Sequence, residues 1–456
     1  MSRSGHDDER NDDEPDAQHL PPTSKRKRAW KLGLVSSRMA ASYLGNKVAN
    51  VFRNPAARVD AALRTHRRNA ERLAETMGQL KGAVMKVGQL LSIQDGALPS
   101  AFGDVLGRFH AQAPPMHFRF VRDVVEEQLG APLEQLFAAF EPQPVAAASL
   151  GQVHRARRHD GRLVAVKVQY PGIEETIESD LANLRKVVGS LRWAGSSYDL
   201  SEAYDEVRAM LLREADYTEE ARAVELFASR LQDDPDVVVP GVHHDRSSLR
   251  VLTLDYLEGQ HLDAFVETVS DPEVRNRVGR KLAMVIWRLE FCHGLLHADP
   301  HPGNYLFLPD ERLGLLDFGC VKEFSPGFLT HYRSAIAAIL RRDDEALLDA
   351  FIAMRFLQPE ERETERARAY LDWTYLSSEP LLHEGVWEGD WEAFIRKLHE
   401  QLNSMALRLG FRMPKEAVFL NRVLLGVMCF WNRLNVRLDW NAMIREVLAE
   451  PVTGAE

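Results

Sequence analysis

Residues 162–170 alternate between two faces, as the residues of a β-strand do. Val164, Val166 and Val168 fall on one face, and Lys167 falls on the other. The pattern predicts a strand that packs one face into a core and points a lysine from the opposite face.

This strand is one half of a predicted hairpin. Residues 145–157 have the composition of the partner strand, and Asp160-Gly161 between the two is a dipeptide typical of tight hairpin turns. Two further strands are predicted over Val237–Val242 and Leu249–Tyr256.

Apolar residues three and four positions apart, the spacing of helices, occur on both sides of these strands. The predicted helical segments are residues 56–91, 118–129 and 132–140, most of 174–232, and most of the chain after residue 263. Helices, a strand-rich unit and then more helices predict an α+β fold. The predicted parts are a disordered tail (1–29), an N-terminal helical extension (30–116), a small sheet-containing lobe (117–260) and a large, mainly helical lobe (261–450).

The tail changes the sign of its charge along its length. Residues 1–24 are rich in Asp and Glu and have almost nothing to bury, which predicts disorder. A basic cluster follows at residues 25–31, around Trp30. Two interpretations are open: the cluster and the apolar residues up to Leu44 lie on an anionic membrane surface, or they form a solvated helix start that pairs with the acidic tail.

Composition narrows the class of protein. The 456 residues are 45% hydrophobic and 27% charged, as in soluble globular proteins, and the net charge of −10 argues against nucleic acid as a partner. Three cysteines without a C-x-x-C pair fit a reducing compartment. No signal peptide or membrane-spanning run is recognised, so we expect a cytoplasmic protein with, at most, peripheral contact with the membrane.

Two short motifs carry the candidate chemistry. Asp299 and Asn304 are five positions apart on a proline-rich loop, and Asp317-Phe318-Gly319 follows a short apolar run. This is the layout of the protein-kinase catalytic loop and D-F-G motif. Asp299 is predicted to orient a nucleophile, and Asn304 and Asp317 to hold Mg²⁺ through oxygen ligands.

The upstream half of a kinase site is present in order. Lys167 ends a Val-Ala-Val-Lys sequence that matches V-A-I-K, the motif of the lysine that pairs with ATP phosphates. Residues 146–153 have the spacing of the glycine-rich phosphate loop, with alanine in place of two glycines. The residues of this loop predicted to contact ATP are Ala146, Ala147, Ala148, Ser149, Gly151 and Val153.

Over residues 55–450 the chain resembles the UbiB/AarF/ADCK family of atypical kinases. Two signatures that ordinary kinases lack carry the resemblance: K-x-G-Q at Lys86–Gln89 and E-x-D at Glu214–Asp216. The resemblance implies a protein-kinase-like, two-lobed fold whose K-x-G-Q helix crosses the cleft. It also implies a regulatory set, Lys86, Gln89, Glu214 and Asp216, in which Lys86 pairs with Glu214.

The resemblance also assigns supporting residues. The partner of Lys167 should be Glu220, with Glu219 and Glu206 as alternatives. The hinge that holds adenine should be Asp255, Tyr256 and Leu257. His297 should correspond to the catalytic-loop histidine, although His293, His297, Asp299 and His301 would also be a conceivable zinc set.

One departure from ordinary kinases bears on the substrate. No A-P-E motif follows Gly319, and a predicted helix begins soon after Pro326, so there is no room for a long peptide-docking segment.

Taken together, the kinase motifs predict an enzyme that uses ATP and Mg²⁺ for phosphoryl transfer or ATP hydrolysis. By resemblance, it would act on a lipid or a quinone precursor, in ubiquinone biosynthesis or lipid homeostasis. An ATP-gated scaffold and a small-molecule kinase of the aminoglycoside or choline type are the alternatives.

Overall fold

The computed structural model describes residues 116–148, 150–173, 177–178, 208, 212–409 and 415–453. The predicted tail and nearly all of the helical extension therefore lie outside the described residues, as do Lys86, Gln89 and Ser149. The α+β class is confirmed: helices surround small sheets in the described part of the chain.

A four-stranded antiparallel sheet forms the small lobe. Its strands are β1 (Ala139–Ala148), β2 (Gly151–Arg157), β3 (Leu163–Gln169) and β5 (Val251–Asp255), in the order β1-β2-β3-β5. The predicted hairpin is confirmed, with Arg157 opposite Leu163 next to the Asp-Gly turn. The single strand predicted over 145–157 is wrong, because the chain reverses direction after Ala148 and β1 pairs back onto β2.

One face of this sheet packs on helix α1 (Phe118–Leu129) and the short helix α2 (Leu133–Leu136). Val164, Val166 and Val168 are fully buried there with Val121 and Val125 of α1. The predicted helix over 132–140 is shorter than expected, because β1 begins at Ala139. The opposite face of the sheet points Lys167 toward the second lobe.

Helix α3 (Tyr217–Arg230) connects the two lobes. Asp216 caps its N-terminus by accepting a hydrogen bond from the Thr218 amide, and a face containing Ala221, Val224 and Phe227 is buried. These residues join the large hydrophobic core that continues into the helical lobe. A side chain on this face of α3 is therefore held rigidly relative to both lobes.

Short strands lie where the two lobes meet. β4 (Val237–Val238) pairs in parallel with β8 (Leu313–Leu315), which pairs with β7 (Tyr305–Phe307). β6 (Leu295–His297) pairs with β9 (Val321–Glu323). The strand predicted over Val237–Val242 is thus reduced to two residues and an isolated bridge between Val242 and Leu254, since Pro240 and Gly241 interrupt it.

The remaining elements are helices. They are α4 (Leu262–Thr268), α5 (Pro272–Phe291), α6 (Pro326–Arg341), α7 (Asp344–Ala353), α8 (Glu365–Ser377), α9 (Glu379–Leu382), α10 (Trp391–Leu409), α11 (Lys415–Leu434) and α12 (Trp440–Ala449). Tryptophans of α5, α10, α11 and α12 pack edge to face in the centre of this lobe. Within the described part of the chain, no helix is both long enough and apolar enough to cross a membrane.

Candidate active site

Lys167 extends from the middle of the sheet into the cleft between the lobes. Its strand β3 lies between β2 and β5, which place Val153 and Leu252 opposite it. Only 12% of the side chain is exposed. Its Nζ lies 2.8 Å from both carboxylate oxygens of Glu220 and 3.4 Å from Oδ2 of Asp317.

Glu220 reaches the lysine from α3, where its side chain is buried. Its Oε1 also accepts a 3.4 Å hydrogen bond from the Phe318 amide. Glu219, the alternative partner, is on the outer face of the helix and pairs there with Arg222. Glu206, the other alternative, lies outside the described residues.

The opposite charges of Lys167 and of the Glu220 and Asp317 carboxylates stabilise one another. Burial alone would lower the pKa of Lys167, but the Asp317 and Glu220 carboxylates outweigh it and raise the pKa well above its usual value. Burial raises the pKa of Glu220, and Lys167 opposes that shift. Lys167 is therefore a charged ammonium at any physiological pH.

The catalytic-loop residues come from the turn between β6 and β7. The Ala298 amide donates to the Cys320 carbonyl, and a 3₁₀ turn over Pro302–Asn304 returns the chain to the cleft. The Asn304 side-chain amide donates to the backbone oxygen of Asp299 at 3.0 Å and to its Oδ2 at 3.1 Å. Because the NH₂ group of Asn304 is used in this way, its carbonyl oxygen is the atom that would be left to coordinate a metal.

The D-F-G turn is tied to this loop and to α3. Oδ1 of Asp317 accepts from the Gly319 amide at 2.9 Å, and the buried Phe318 ring packs on Phe227, with ring centroids 5.2 Å apart. His297 is almost completely buried, and its Nε2 hydrogen-bonds the Asp317 carbonyl. This contact makes His297 a residue that positions the D-F-G turn.

The alanine-rich segment is the end of a strand. Ala146, Ala147 and Ala148 pair with Val153, Gln152 and Gly151, so only a tight turn joins β1 to β2. Position 151 requires glycine for a steric reason, because a Cβ there would lie 2.1 Å from the Val168 carbonyl oxygen. The predicted contact of this segment with ATP stays a prediction, and Ser149 lies outside the described residues.

The predicted hinge residues lie at the end of β5: Asp255 is the last residue of this strand, and Tyr256 and Leu257 follow it. The Asp255 and Tyr256 amides donate to the Gly241 and Leu163 carbonyls. The Asp255 carboxylate contacts His243 Nε2 at 2.8 Å, so its side chain supports the hinge from outside. In the described part of the chain, the Leu257 amide has no hydrogen-bonding partner, and the adenine contact of these three residues stays a prediction.

The two acidic residues of the E-x-D motif have different surroundings. Glu214 is 8% exposed, and its Cγ lies 3.7 Å from the position of a Cβ added to Gly319, beside the D-F-G turn. Asp216 instead accepts from both the amide and the hydroxyl of Thr218. The predicted pairing of Lys86 with Glu214 involves a residue outside the described ranges and stays a prediction.

The donor set suits magnesium. An amide oxygen from Asn304 and a carboxylate from Asp317 are hard oxygen ligands of the kind Mg²⁺ prefers. The zinc alternative has weaker geometric support, because His293 hydrogen-bonds the Thr453 hydroxyl and the His301 ring accepts from the Gly303 amide. Among the described residues, no group of three or more His, Cys, Asp and Glu side chains is placed to hold a metal ion.

One residue beside the lysine, Tyr217, has a role that was not predicted from the sequence. The buried ring of Tyr217 lies under Lys167, with Nζ 5.2 Å from the ring centroid. The signal was its position three residues before Glu220, which places both on one face of α3. Burial raises the pKa of the Tyr217 hydroxyl, so the ring remains neutral beside the cation.

A sheet-containing lobe that supplies the lysine, and a helical lobe that supplies Asp299, Asn304 and Asp317, define a kinase-like fold. The chain is similar to Rv3197 of Mycobacterium tuberculosis, solved as a complex with erythromycin: TM-score 0.60, 30% identity, covering 86% of this chain and 99% of that one. Residues 108–351 match the ABC1 atypical kinase-like domain. The chain belongs to this family, the UbiB/AarF/ADCK atypical kinases, which confirms the resemblance.

Curated relatives agree with this assignment. The chain is 29% identical over 362 residues to the probable serine/threonine-protein kinase abkA of Dictyostelium discoideum, covering 75% of this chain and 64% of that protein. It is 29% identical over 423 residues to the mitochondrial atypical kinase COQ8 of Schizosaccharomyces pombe, covering 91% of this chain and 68% of that protein. The chain thus spans less than two thirds of the Dictyostelium protein.

Proposed function

We propose that this protein binds ATP with Mg²⁺ and transfers the γ-phosphoryl group to a small or lipid-linked acceptor, or hydrolyses ATP. The observation that carries the proposal is the pairing of Lys167 with Glu220, together with the position of Asp317 against the same lysine. This is the arrangement that phosphoryl transfer requires of a kinase-like fold.

Each residue has a role in this reaction. Lys167 binds the α- and β-phosphates, and Glu220 keeps its ammonium in place. Asn304 and Asp317 hold the metal, which neutralises phosphate charge when it is bound. Asp299, whose carboxylate is oriented by Asn304, positions the attacking hydroxyl or water.

The acceptor in this proposal is not a peptide. Only β9 and a short turn separate Gly319 from α6, whose N-cap is Ser325. A segment of that length is too short to form a binding surface for a peptide substrate. The mitochondrial COQ8 relatives and the resemblance favour ubiquinone biosynthesis or lipid homeostasis, at the inner face of a membrane that the protein contacts peripherally.

ATP turnover by the purified protein tests the proposal. It is measured with Mg²⁺, with and without anionic liposomes, for the wild type, Asp317→Asn and Lys86→Ala. We expect turnover that rises with liposomes and falls at least about 100-fold in Asp317→Asn, because a metal ligand is weakened. Asp310→Asn is the matched control, since Asp310 is exposed and pairs with Arg312.

Other outcomes would favour the alternatives. Nucleotide binding without turnover under any condition, Lys86→Ala included, would support an ATP-gated scaffold. Phosphorylation of a soluble amino alcohol or aminoglycoside would support a small-molecule kinase.

A further inference from the structure

The helical lobe contains a cavity that the proposed reaction does not use. Its volume is about 190 Å³, and α5, α6, α8 and α11 line it mostly with apolar side chains, among them Ile286, Ile336 and Leu424. None of the described residues predicted to bind ATP is part of its wall. An engineered cavity of about 150 Å³ binds benzene, so this one has room for a single ring with a substituent.

One wall of the cavity carries a carboxyl group. Glu290 of α5 is 7% exposed and, among the described residues, forms no hydrogen bond or ion pair. An uncompensated polar group in such a place costs free energy that a purely structural role would avoid. Burial raises its pKa to about 8, so at neutral pH it is an uncharged group that both donates and accepts.

Further hydrogen-bonding groups lie nearby. Thr374, Ser377 and Ser378, on adjacent turns at the end of α8, also line the cavity. The tryptophans in the wall include Trp373, Trp431 and Trp440, whose indole N–H groups are buried and unpartnered within the described structure. The apolar wall is thus interrupted at a few fixed points, as in small-molecule sites.

We propose that this cavity is a second small-molecule site, which binds an uncharged, mainly apolar molecule the size of a substituted benzene ring through one hydrogen-bonding group on Glu290. Anions are disfavoured because none of the described residues in the lining carries a positive charge. Purely apolar molecules fit the walls but leave Glu290 unpaired. The site is separate from the ATP cleft, and the proposal does not depend on whether the protein turns over ATP.

Two isosteric probes test the proposal: benzyl alcohol, which carries a hydroxyl, and ethylbenzene, which carries a methyl in its place. Binding is followed by the intrinsic fluorescence of the wall tryptophans in the full-length protein. We expect saturable binding of benzyl alcohol with a Kd on the order of 1 mM or below. Ethylbenzene should bind about 5- to 10-fold more weakly, a difference that corresponds to the net contribution of one hydrogen bond.

Two variants at one position separate the hydrogen bond from the cavity. Glu290→Gln keeps shape and hydrogen bonding and should bind benzyl alcohol within about 3-fold of the wild type. Glu290→Leu should lose the preference for the alcohol and bind ethylbenzene at least as well. ¹⁹F NMR of the wild type labelled with fluorotryptophan gives a second readout that needs no variant.

Three results would overturn the proposal. They are the absence of saturable binding of either probe to the wild type, equal affinity for the two, and an unchanged preference in Glu290→Leu. Because the assay contains no nucleotide, none of these results depends on the proposed ATP chemistry.

Discussion

At the residue scale, the site depends on one cation held between two carboxylates in a nearly dry position. Glu220 and Asp317 both form ion pairs with Lys167, at 2.8 Å and 3.4 Å. Removing Glu220 would leave the ammonium to Asp317 alone and withdraw it from the phosphates. The lysine would remain charged but misplaced.

We therefore expect Glu220→Gln to lower ATP turnover about 10- to 100-fold while the protein stays folded. Glu219→Gln is the matched control, because Glu219 is a neighbour on the same helix whose side chain faces Arg222. Steady-state turnover of the two variants makes the comparison. Equal losses in both would contradict the assignment of Glu220.

Glu290 makes stability depend on pH. Its pKa rises from 4.5 in the unfolded chain to about 8 when folded. The folded state therefore holds a proton that the unfolded state releases between these values, and this contribution is lost as the pH rises toward 8. Each unit of pKa difference corresponds to about 1.4 kcal/mol, so the free energy of unfolding falls by at most about 5 kcal/mol.

We expect the free energy of unfolding of the wild type to fall between pH 5 and 8 relative to that of Glu290→Gln. Urea unfolding at several pH values measures the difference, with a change of a few kcal/mol expected. Parallel pH profiles would show that the carboxyl is ionised in the folded protein.

At the element scale, the small lobe depends on a close approach between two strands. Gly151 opens β2 so near the Val168 carbonyl that a methyl group cannot be accommodated. The glycine at this position is thus a condition for the pairing of β2 with β3.

Gly151→Ala should destabilise the protein by at least about 2 kcal/mol, seen as a lowered midpoint of urea unfolding. Gly327→Ala is the control, because Gly327 lies in the first turn of α6 with nothing within 4 Å of an added Cβ. That change should be neutral or slightly stabilising. Similar effects of both would mean that β2 moves away from β3 at little cost.

Some elements of the small lobe could be predicted from the sequence, and others could not. The hairpin, α1 and the direction of Lys167 follow from alternation and turn chemistry, which are local signals. The reversal after Ala148 was missed because Val145–Arg157 lacks an Asn-Gly or Asp-Gly pair. The roles of Tyr217 and Glu290 come from packing between distant segments, and Glu290 has no sequence feature that separates it from a solvated helix residue.

At the scale of the whole molecule, a late helix supports the catalytic loop. Gly426 of α11 faces Pro300, and an added Cβ would lie 2.4 Å from the proline Cγ. The loop that carries Asp299 and Asn304 is therefore seated on an element more than a hundred residues later in the chain.

Gly426→Ala should displace this loop and lower turnover at least about 10-fold, although alanine favours the helix. Cys429→Ala, on the exposed side of α11, is the control. Steady-state turnover and circular dichroism together distinguish a displaced loop from an unfolded lobe. Unchanged turnover would show that Pro300 adjusts without moving Asp299.

The group around Lys167 also bears on the order in which nucleotide and metal arrive. Glu220, Asp299 and Asp317 bring three negative charges against the single positive charge of the lysine, so the described part of the cleft repels a bare polyphosphate. Metal chelated to the nucleotide before the encounter removes this barrier. Raising the ionic strength should therefore help free ATP to bind more than it helps the magnesium complex.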